Sequence, residues 1–257
     1  MAGKEKSTIV TLIVFDFETG GLDPQKCAAT QISMHAIRLD TFEMTDTLNL
    51  YISPYNRKQS LSKPAKKVVK SKYDVEEEPL MEYGEKALEY SAITMKMLEE
   101  MGRPLEDVCD KIIDFLERNT QNVSSGNLPV LAGQNVLFDI GFLQQIMVYT
   151  GRWGAFTKLV RGVKDFWGNF QPYYIDTIVL GQLALNHDRS VNSYKLELMA
   201  ERLGIELDDA HDADADVFAT QEVIRVLTGK MRTNSDGLVD GNLAEVKKTK
   251  LRDHFKI

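Results

Sequence analysis

Two acidic residues, Asp16 and Glu18, stand within the otherwise apolar stretch "LIVFDFE" and are followed by Gly20 and Gly21. Residues i and i+2 of a β-strand project from the same face, so both carboxylates should point the same way. Two such carboxylates raise each other's pKa unless a cation lies between them, and Mg²⁺ prefers oxygen ligands. The glycines would let a substrate backbone approach closely. A solvated pair on an edge strand is the alternative, but the apolar flanks favour a buried strand.

Further acidic residues follow far along the chain. Asp139 stands in "GQNVLFDIGFL", where a turn is expected to open a helix, although an acid there can simply complement the helix dipole. In "HDADADV" the side chains of His211 and Asp216 would lie about 140° apart on an ideal helix. If both serve one site, His211 must lie on the loop before the helix. A surface histidine is the alternative for His211, and helix-terminal acids are the alternative for Asp212 and Asp214.

These residues need strands and helices to position them. Alternating and β-branched stretches predict three consecutive strands with short connections, which is typical of an antiparallel meander. Helices then alternate with two more strands, so we expect an α/β fold with a mixed five-stranded sheet and helices on its faces. The expected strands are 8–18, 31–39, 47–53, 128–133 and 172–176. The expected helices are 79–90, 91–101, 104–119, 136–150, 177–186, 194–203 and 212–228, with Ser91 and Ser193 as N-caps.

The composition is that of an ordinary globular protein. The chain has 257 residues, 43% of them hydrophobic, and a formal net charge of −7. This charge argues against a generally basic nucleic-acid binder but allows a local basic surface. Cys27 and Cys109 lack the spacing of a metal pair, so we expect reduced thiols in a cytoplasmic protein. We find no convincing signal peptide and no apolar run long enough for a membrane span.

Two segments depart from the pattern of strands and helices. Residues 57–78 open with Arg57 and six lysines and close with "DVEEE". We expect a charged insertion there, either a solvated loop or a flap that contacts phosphates. Residues 231–257 form a polar tail. Leu251 and Phe255 lie one helical turn apart, which would let a short helix dock into a sliding clamp or a polymerase; a solvated end is the alternative.

The order of the acidic motifs is more specific than any one of them. A D-x-E in the first strand, N-x-x-x-D opening a middle helix and H-x-A-x-x-D opening the last helix together resemble the His-containing (DEDDh) branch of the DEDD 3′→5′ exonucleases. The resemblance covers about residues 9–228 and is greatest to bacterial and phage proofreading exonucleases of the DNA polymerase III epsilon type. It implies a ribonuclease H-like fold, with an exonuclease domain over residues 1–230 and helices on both faces of the sheet.

Some positions depart from the family pattern. "EYSAITMKML" resembles the family's substrate-binding segment, but Ser91 and Ala92 replace the usual His-Gly pair. Gln31 stands where an acid is common, and Gln134 stands where a histidine often precedes the asparagine. None of these positions is a metal ligand in the family, so the departures concern substrate preference.

The resemblance also implies roles for the residues of the site. Two Mg²⁺ ions, replaceable by Mn²⁺, would be held by the four carboxylates, with Asp16 bridging both and Glu18 and Asp216 completing one site. Asp139 would hold the second ion through water, and His211 would take the proton from the attacking water. Leu22 and Ile93 would wedge between the last bases. The residues bordering the terminal nucleotide would be Thr19, Gly20, Gly21, Leu22, Ile93, Thr94, Asn135 and Phe138.

The resemblance predicts a metal-dependent 3′→5′ exonuclease that removes nucleoside monophosphates from single-stranded or frayed 3′ ends. DNA is favoured over RNA, as in proofreading or repair, and a DNA polymerase or sliding clamp is the expected protein partner. An exoribonuclease is the first alternative, and a non-catalytic nucleic-acid-binding module on the same fold is the second. Trp167 and Phe170 lie in an aromatic and basic stretch typical of single-strand binding, although such residues are more often packed inside.

Overall fold

The computed structural model describes residues 11–58, 78–120, 127–205 and 212–233, and the elements below are those of these ranges. The strands are β1 Thr11–Thr19, β2 Ala29–Arg38, β3 Met44–Tyr51, β4 Val130–Gly133, β5 Gly162–Lys164, β6 Phe170–Pro172 and β7 Tyr174–Asp176. The helices are α1 Glu85–Tyr90, α2 Met95–Met101, α3 Leu105–Asn119, α4 Val136–Tyr149, α5 Trp153–Phe156, α6 Thr177–Leu185, α7 Leu196–Leu203 and α8 Ala213–Thr233. His211, residues 59–77 of the charged insertion and residues 234–257 of the tail, with Leu251 and Phe255, fall outside these ranges. None of the helices in the described ranges is long and apolar enough to cross a membrane.

A five-stranded mixed sheet carries the fold, in the order β3-β2-β1-β4-β7. The strands β1, β2 and β3 pair antiparallel, whereas β4 pairs parallel with both β1 and β7. The predicted meander and mixed sheet are therefore confirmed. Because parallel strands end at the same edge of a sheet, the end of β1 and the turn after β4 lie side by side.

The alternation of side chains along β1 divides the core between the two faces of the sheet. Ile13, Phe15 and Phe17 pack on one face in the cluster that contains the buried residues of α3 and α4. Leu12 and Val14 face the other way, in a cluster with Val217 and Ile224 of α8. Burial of each such side chain contributes roughly 1.5–3 kcal/mol, so both faces of β1 are anchored. Helices cover both faces of the sheet, as predicted.

A short antiparallel clasp, residues 55–57 with residues 79–81, joins the two sides of the charged insertion. Asn56 bridges Leu80, and Arg57 N donates to Pro79 O at 2.7 Å. Met81 N donates to Tyr55 O at 3.1 Å. Beyond the clasp, Glu82 pairs with the loop after β1, since Ala28 N donates to Glu82 O at 3.1 Å.

The predicted helix boundaries need two corrections in this region. The helix expected over 79–90 begins only at Glu85, because the preceding residues are extended and paired in the clasp. The helix expected from Ser91 begins instead at Met95, and Thr94 is its N-cap, accepting from Met97 N at 3.1 Å. Ser91 ends α1, and the turn that follows places Ala92 at φ 54°.

Residues 162–172 contain a small hairpin, β5–β6, that the sequence patterns do not predict. Its strands pair antiparallel in a two-stranded sheet separate from the main one. Phe170 on β6 packs against the Trp153 ring at 6.2 Å between centroids and against the core. Phe170 is therefore packed, as the sequence favours for such aromatic residues. Trp167, by contrast, is exposed at the tip.

Candidate active site

Asp16 and Glu18 project from the last part of β1 towards the side of the sheet that α8 covers. Their strand neighbours Phe15 and Phe17 are buried on the opposite face, in the core beneath α4. Across β2, Asp16 lies opposite Ser33 and Glu18 lies opposite Gln31. The period of two along β1 thus separates the carboxylates from the packing residues.

A third carboxylate, that of Asp216, reaches the same point from the first turn of α8. One carboxylate oxygen from each of Asp16, Glu18 and Asp216 lies within 4.8 Å of the other two. The N–H of Asp216 donates to Asp212 O at 3.0 Å, which places the residue inside the helical turn. The structure therefore brings together residues 200 positions apart into a set of oxygen donors suited to a hard divalent cation.

The three carboxylates, which we call the acidic trio, oppose one another electrostatically. Burial, followed by the charges of Asp216 and Asp212, raises the pKa of Glu18 from 4.5 to about 8. Burial also raises the pKa of Asp16, with further contributions from Asp139 and Glu18. Such shifts are expected where carboxylates converge without a neutralising charge. A bound cation would favour their ionised forms.

Asp139 lies behind the acidic trio rather than within it. It follows β4 by six residues, in the first turn of α4, and is buried. Its Oδ1 accepts a hydrogen bond from Phe17 N at 3.1 Å, so α4 is tied to the β1 segment between Asp16 and Glu18. Burial raises the pKa of Asp139, against the lowering effect of that hydrogen bond. A carboxylate here can act on the trio through charge and its remaining oxygen.

A polar seam joins β2 to the start of α8, and the sequence analysis did not anticipate it. Gln31 Nε2 donates to Asp212 Oδ2 at 3.2 Å, and Ser33 Oγ donates to Asp214 Oδ1 at 2.7 Å. Asp212 Oδ1 also accepts from Asp214 N at 2.9 Å, which caps the helix. Asp212 and Asp214 are thus more than helix-terminal acids, because they dock the first turn of α8 on the sheet.

The buried His35 side chain completes this seam. Its Nε2 lies 3.2 Å from Asp214 Oδ1, and its Nδ1 lies 3.1 Å from Gln221 Oε1 on the same helix. A sequence signal existed, because Gln31, Ser33 and His35 alternate with the apolar Ile32 and Met34 along β2. Their partners lie about 180 positions away, so the pattern alone could not identify them.

The loop after β1 contains two glycines, and other protein atoms lie close to where their side chains would be. A Cβ on Gly20 would lie 2.4 Å from Glu82 O, and one on Gly21 would lie 2.6 Å from Cys27 Sγ. The space of these missing side chains is thus filled by protein atoms and is not left for a substrate. Leu22, next along the loop, is 85% exposed, whereas the Thr19 hydroxyl is engaged with Gly21 O at 2.9 Å.

The remaining residues expected at the substrate have varied environments. Ile93 is buried against Leu88 and Leu98, so its side chain is not exposed for insertion between bases in this conformation. Phe138 is half-buried, with its ring centroid 5.1 Å from that of Phe142. Thr94 caps α2 and is exposed. Asn135 is exposed in a left-handed conformation, and its N–H donates to Asp176 Oδ1 at 3.3 Å.

Comparison with known proteins gives relatives in both sequence and structure. No protein-family model matches the chain. A PolC-type DNA polymerase III of Clostridium perfringens is 25% identical over 235 residues, which are 91% of this chain and 12% of that relative. The crystal structure of E. coli exonuclease I in complex with a dA16 oligonucleotide superposes with a TM-score of 0.57 at 18% identity. It covers 86% of this chain and 41% of the exonuclease I chain.

The resemblance to the DEDD 3′→5′ exonucleases is confirmed. The ribonuclease H-like fold is likewise confirmed, since exonuclease I shares it with this chain. The zinc-bound form of an E. coli exonuclease I–ssDNA complex matches equally well, with a TM-score of 0.57 at 19% identity over 86% of this chain and 41% of that one. The His-containing branch stays a prediction, because His211 lies outside the described residues. This chain spans about an eighth of its polymerase relative and two fifths of exonuclease I.

Proposed function

We propose that this protein is a metal-dependent 3′→5′ exonuclease that removes nucleoside monophosphates from single-stranded or frayed DNA 3′ ends. The observation that carries the proposal is the convergence of Asp16, Glu18 and Asp216, with Asp139 tied to β1 directly behind them. Two of these acids lie on strand β1, and one lies on each of the helices α4 and α8. In chain order they match the four acidic positions of the DEDD exonucleases.

The donor set fits two Mg²⁺ ions, with Mn²⁺ able to substitute. All the converging ligands are carboxylates, and hard cations prefer oxygen donors. Asp16, Glu18 and Asp216 would hold one ion, and Asp139, together with Asp16, would hold the other. Bound there, the ions would neutralise the charge that develops on the phosphate and activate the attacking water.

The chain's own residues would position the substrate and move the proton. The exposed Leu22 lies on the loop that follows Glu18 at the end of β1, so the 3′-terminal nucleotide would lie against this loop. We assign His211 as the base that takes a proton from the attacking water. The water oxygen then bonds to phosphorus, the P–O3′ bond breaks and the leaving O3′ takes up a proton from solvent, so the products are a nucleoside 5′-monophosphate and a strand shortened by one nucleotide.

The polymerase relative supports a replicative or repair setting. Its name is DNA polymerase III PolC-type, and this chain aligns with only a small part of it. We therefore propose a DNA polymerase as the partner, with a sliding clamp as the second candidate. Co-elution of this protein with the purified polymerase, with and without residues 234–257 of this chain, would test the contribution of the tail.

One assay tests the activity. We would incubate 5′-labelled single-stranded DNA, a duplex with a mismatched 3′ end, and RNA with Mg²⁺, and compare the product ladders. The proposal expects DNA ladders that shorten by one nucleotide, weak RNA cleavage, and no products from the Asp16→Asn variant. A faster RNA ladder would establish the exoribonuclease alternative. Nucleic-acid binding without any ladder would establish the non-catalytic module, and release of labelled mononucleotide would reverse the polarity.

A further inference from the structure

Two large aromatic side chains stand in solvent at the tip of the β5–β6 hairpin. Phe166 is 94% exposed and Trp167 is 81% exposed. Their ring centroids lie 5.8 Å apart at 89°, so the rings contact each other edge to face. Contiguous exposed apolar side chains are a feature of interaction sites.

The tip is held in one conformation by Asp165. Its Oδ1 accepts from Trp167 N at 2.9 Å and from Asn169 N at 2.8 Å, while Oδ2 accepts from Asn169 Nδ2 at 3.0 Å. Asp165 N donates in turn to Asn169 O at 2.9 Å. The carboxylate is therefore engaged in organising the turn, and the two rings are presented on an ordered backbone.

The base of the hairpin is fixed to the main sheet. Arg161 N donates to Pro129 O at 2.9 Å, and Tyr173 N donates to Arg161 O at 2.8 Å. Phe170 fastens the second strand to the core through Trp153. The exposed tip is thus an extension of the folded domain, so a ligand would meet a pre-ordered surface and would not have to order it.

The charge around the tip favours a polyanion. Residues 158–174 contain three basic residues and a single acid, Asp165, in a chain whose formal net charge is −7. Lys158, Arg161 and Lys164 are exposed, and the Arg161 guanidinium lies 5.8 Å from the Tyr173 ring centroid. Exposed aromatics interleaved with basic residues are the pattern by which proteins hold single strands, through stacking and phosphate contacts.

The hairpin lies at the opposite end of the sheet from the acidic trio. Its base bonds to Pro129, just before β4, whereas Asp16 lies beyond the point where β1 stops pairing with β4. The register places Pro129 level with Thr11, five residues before Asp16, or roughly 17 Å along the strand. Measured to the base of the hairpin, this separation equals on the order of five nucleotides of a stacked strand, at about 3.4 Å per nucleotide.

We propose that Phe166 and Trp167 form a stacking platform for bases of the same single strand, upstream of the 3′ end held at the acidic trio. This inference rests on the proposed exonuclease function for its polarity. The platform would retain the strand between successive removals, so long substrates would bind more tightly than short ones. A dinucleotide held at the acidic trio is too short to reach it.

Fluorescence gives a direct test that does not depend on hydrolysis. The chain has two tryptophans, so a Trp153→Phe variant leaves Trp167 as the only reporter. We would titrate this variant with a twenty-residue oligothymidylate in EDTA and with an abasic strand of equal length. Stacking predicts quenching by the oligothymidylate and little quenching by the abasic strand. Equal quenching by both strands, or none by either, would overturn the proposal.

A matched pair of variants tests the contribution to affinity. Phe166→Ala combined with Trp167→Ala should weaken binding of the oligothymidylate about tenfold, the order expected for losing stacked bases. Leu183→Ala, which truncates a 72% exposed side chain on α6, should leave the affinity unchanged. Turnover of a dinucleotide should be the same in all three proteins. An unchanged affinity in the double variant would rule out the platform.

The two proposals fail in different ways. Quenching without shortening of the oligothymidylate when Mg²⁺ is added would remove the exonuclease function and leave the binding surface standing. Shortening without quenching, and with unchanged affinity in the double variant, would do the reverse.

Discussion

Asp16 and Glu18 sit two residues apart on β1, and Asp216 reaches the same point from α8. Each carboxylate makes the ionisation of the others harder, and burial adds to the effect. At the scale of the residue, the three carboxylates therefore repel one another in the metal-free protein. A bound cation would relieve this repulsion. The first two predictions concern single side chains of this kind.

Asp16→Asn should lower the hydrolysis rate by at least about a thousandfold, as removal of a central catalytic group commonly does. The same change removes one charge from the acidic trio, so the melting temperature of the metal-free protein should rise. Hydrolysis rates with Mg²⁺ measure the first effect, and thermal unfolding in EDTA measures the second. Glu99→Gln, an exposed acid on α2, is the control and should change neither. A fully active Asp16→Asn protein would contradict the metal assignment.

His211→Ala should lower turnover by about a hundredfold to ten-thousandfold, the usual contribution of a general base. Metal affinity, measured by calorimetric titration with Mn²⁺, should stay close to that of the parent protein. A loss of metal binding would make His211 a ligand, and unchanged turnover would remove it from the mechanism.

At the scale of the element, the placement of α8 decides whether Asp216 meets the strand. The seam from β2 holds the first turn of this helix through Asp212 and Asp214. Ser33→Ala deletes a 2.7 Å hydrogen bond between a fully buried hydroxyl and the Asp214 carboxylate. The free energy of unfolding should fall by roughly 1–3 kcal/mol, and the Mg²⁺ requirement should increase.

Ser190→Ala is the matched control for the seam. Its hydroxyl also donates to an aspartate at 2.7 Å, but the contact to Asp188 is exposed. We expect little change in stability from this substitution, because water replaces an exposed partner. Denaturant unfolding of the two variants side by side measures the difference. Equal losses in both would mean that burial of the seam contributes nothing.

The turn between α1 and α2 offers a second prediction at this scale. Ala92 has φ 54°, a region that costs a residue with a Cβ roughly 1–2 kcal/mol. Ala92→Gly should remove that strain, less the entropy that glycine adds to the unfolded chain, for a net gain of about 0.5–1 kcal/mol. Ala87→Gly within α1 should destabilise by a similar amount. Destabilisation by both changes would refute the argument.

The sequence predicts an element where the period of its apolar residues matches the face that is buried. It does not predict elements that depend on particular side-chain hydrogen bonds. The strand β1 and the helix α3 follow from local patterns, and both are confirmed. The β5–β6 hairpin was missed because its strands have three residues each and its turn depends on the Asp165 carboxylate. Thr94 replaced Ser91 as the cap because the Ser91 hydroxyl bonds back to α1.

The candidate site was accessible to sequence reasoning only through the order of its acids. Nothing local to Asp139 distinguishes it from an ordinary acid at a helix start, and its bond to Phe17 N spans 122 positions. The family pattern predicts that these acids act together. The fold explains why their order along the chain is informative. The crossing from β1 to β4 and on to α8 brings the three segments to one edge.

At the scale of the whole molecule, stability should depend on pH and metal together. The pKa of Glu18 is raised from 4.5 to about 8, so the metal-free folded protein holds a proton that the unfolded chain releases. The stabilisation that comes from protonated Glu18 is complete below pH 4.5 and is lost as pH rises through about 8. Because Mg²⁺ binds the ionised carboxylates, its effect on the melting temperature should grow over the same interval.

Thermal unfolding at pH 5.5 and pH 8, each with EDTA or Mg²⁺, measures this linkage. The increment due to Mg²⁺ should be larger at pH 8, and Glu18→Gln should flatten the dependence in EDTA. A Mg²⁺ increment that is independent of pH would show that proton release does not accompany binding.

The clasp of residues 55–57 with residues 79–81 has a consequence for how this protein could be altered. The chain leaves and re-enters the domain through paired backbone, at Asn56 and Leu80, before Glu82 meets the loop that carries Gly20. Closing a shorter or longer loop changes the entropic cost only slowly with length. Because the clasp pairs the backbone on both sides of residues 59–77, replacing that segment with a sequence of different length should leave the described domain folded, and thermal unfolding of such a variant would measure this.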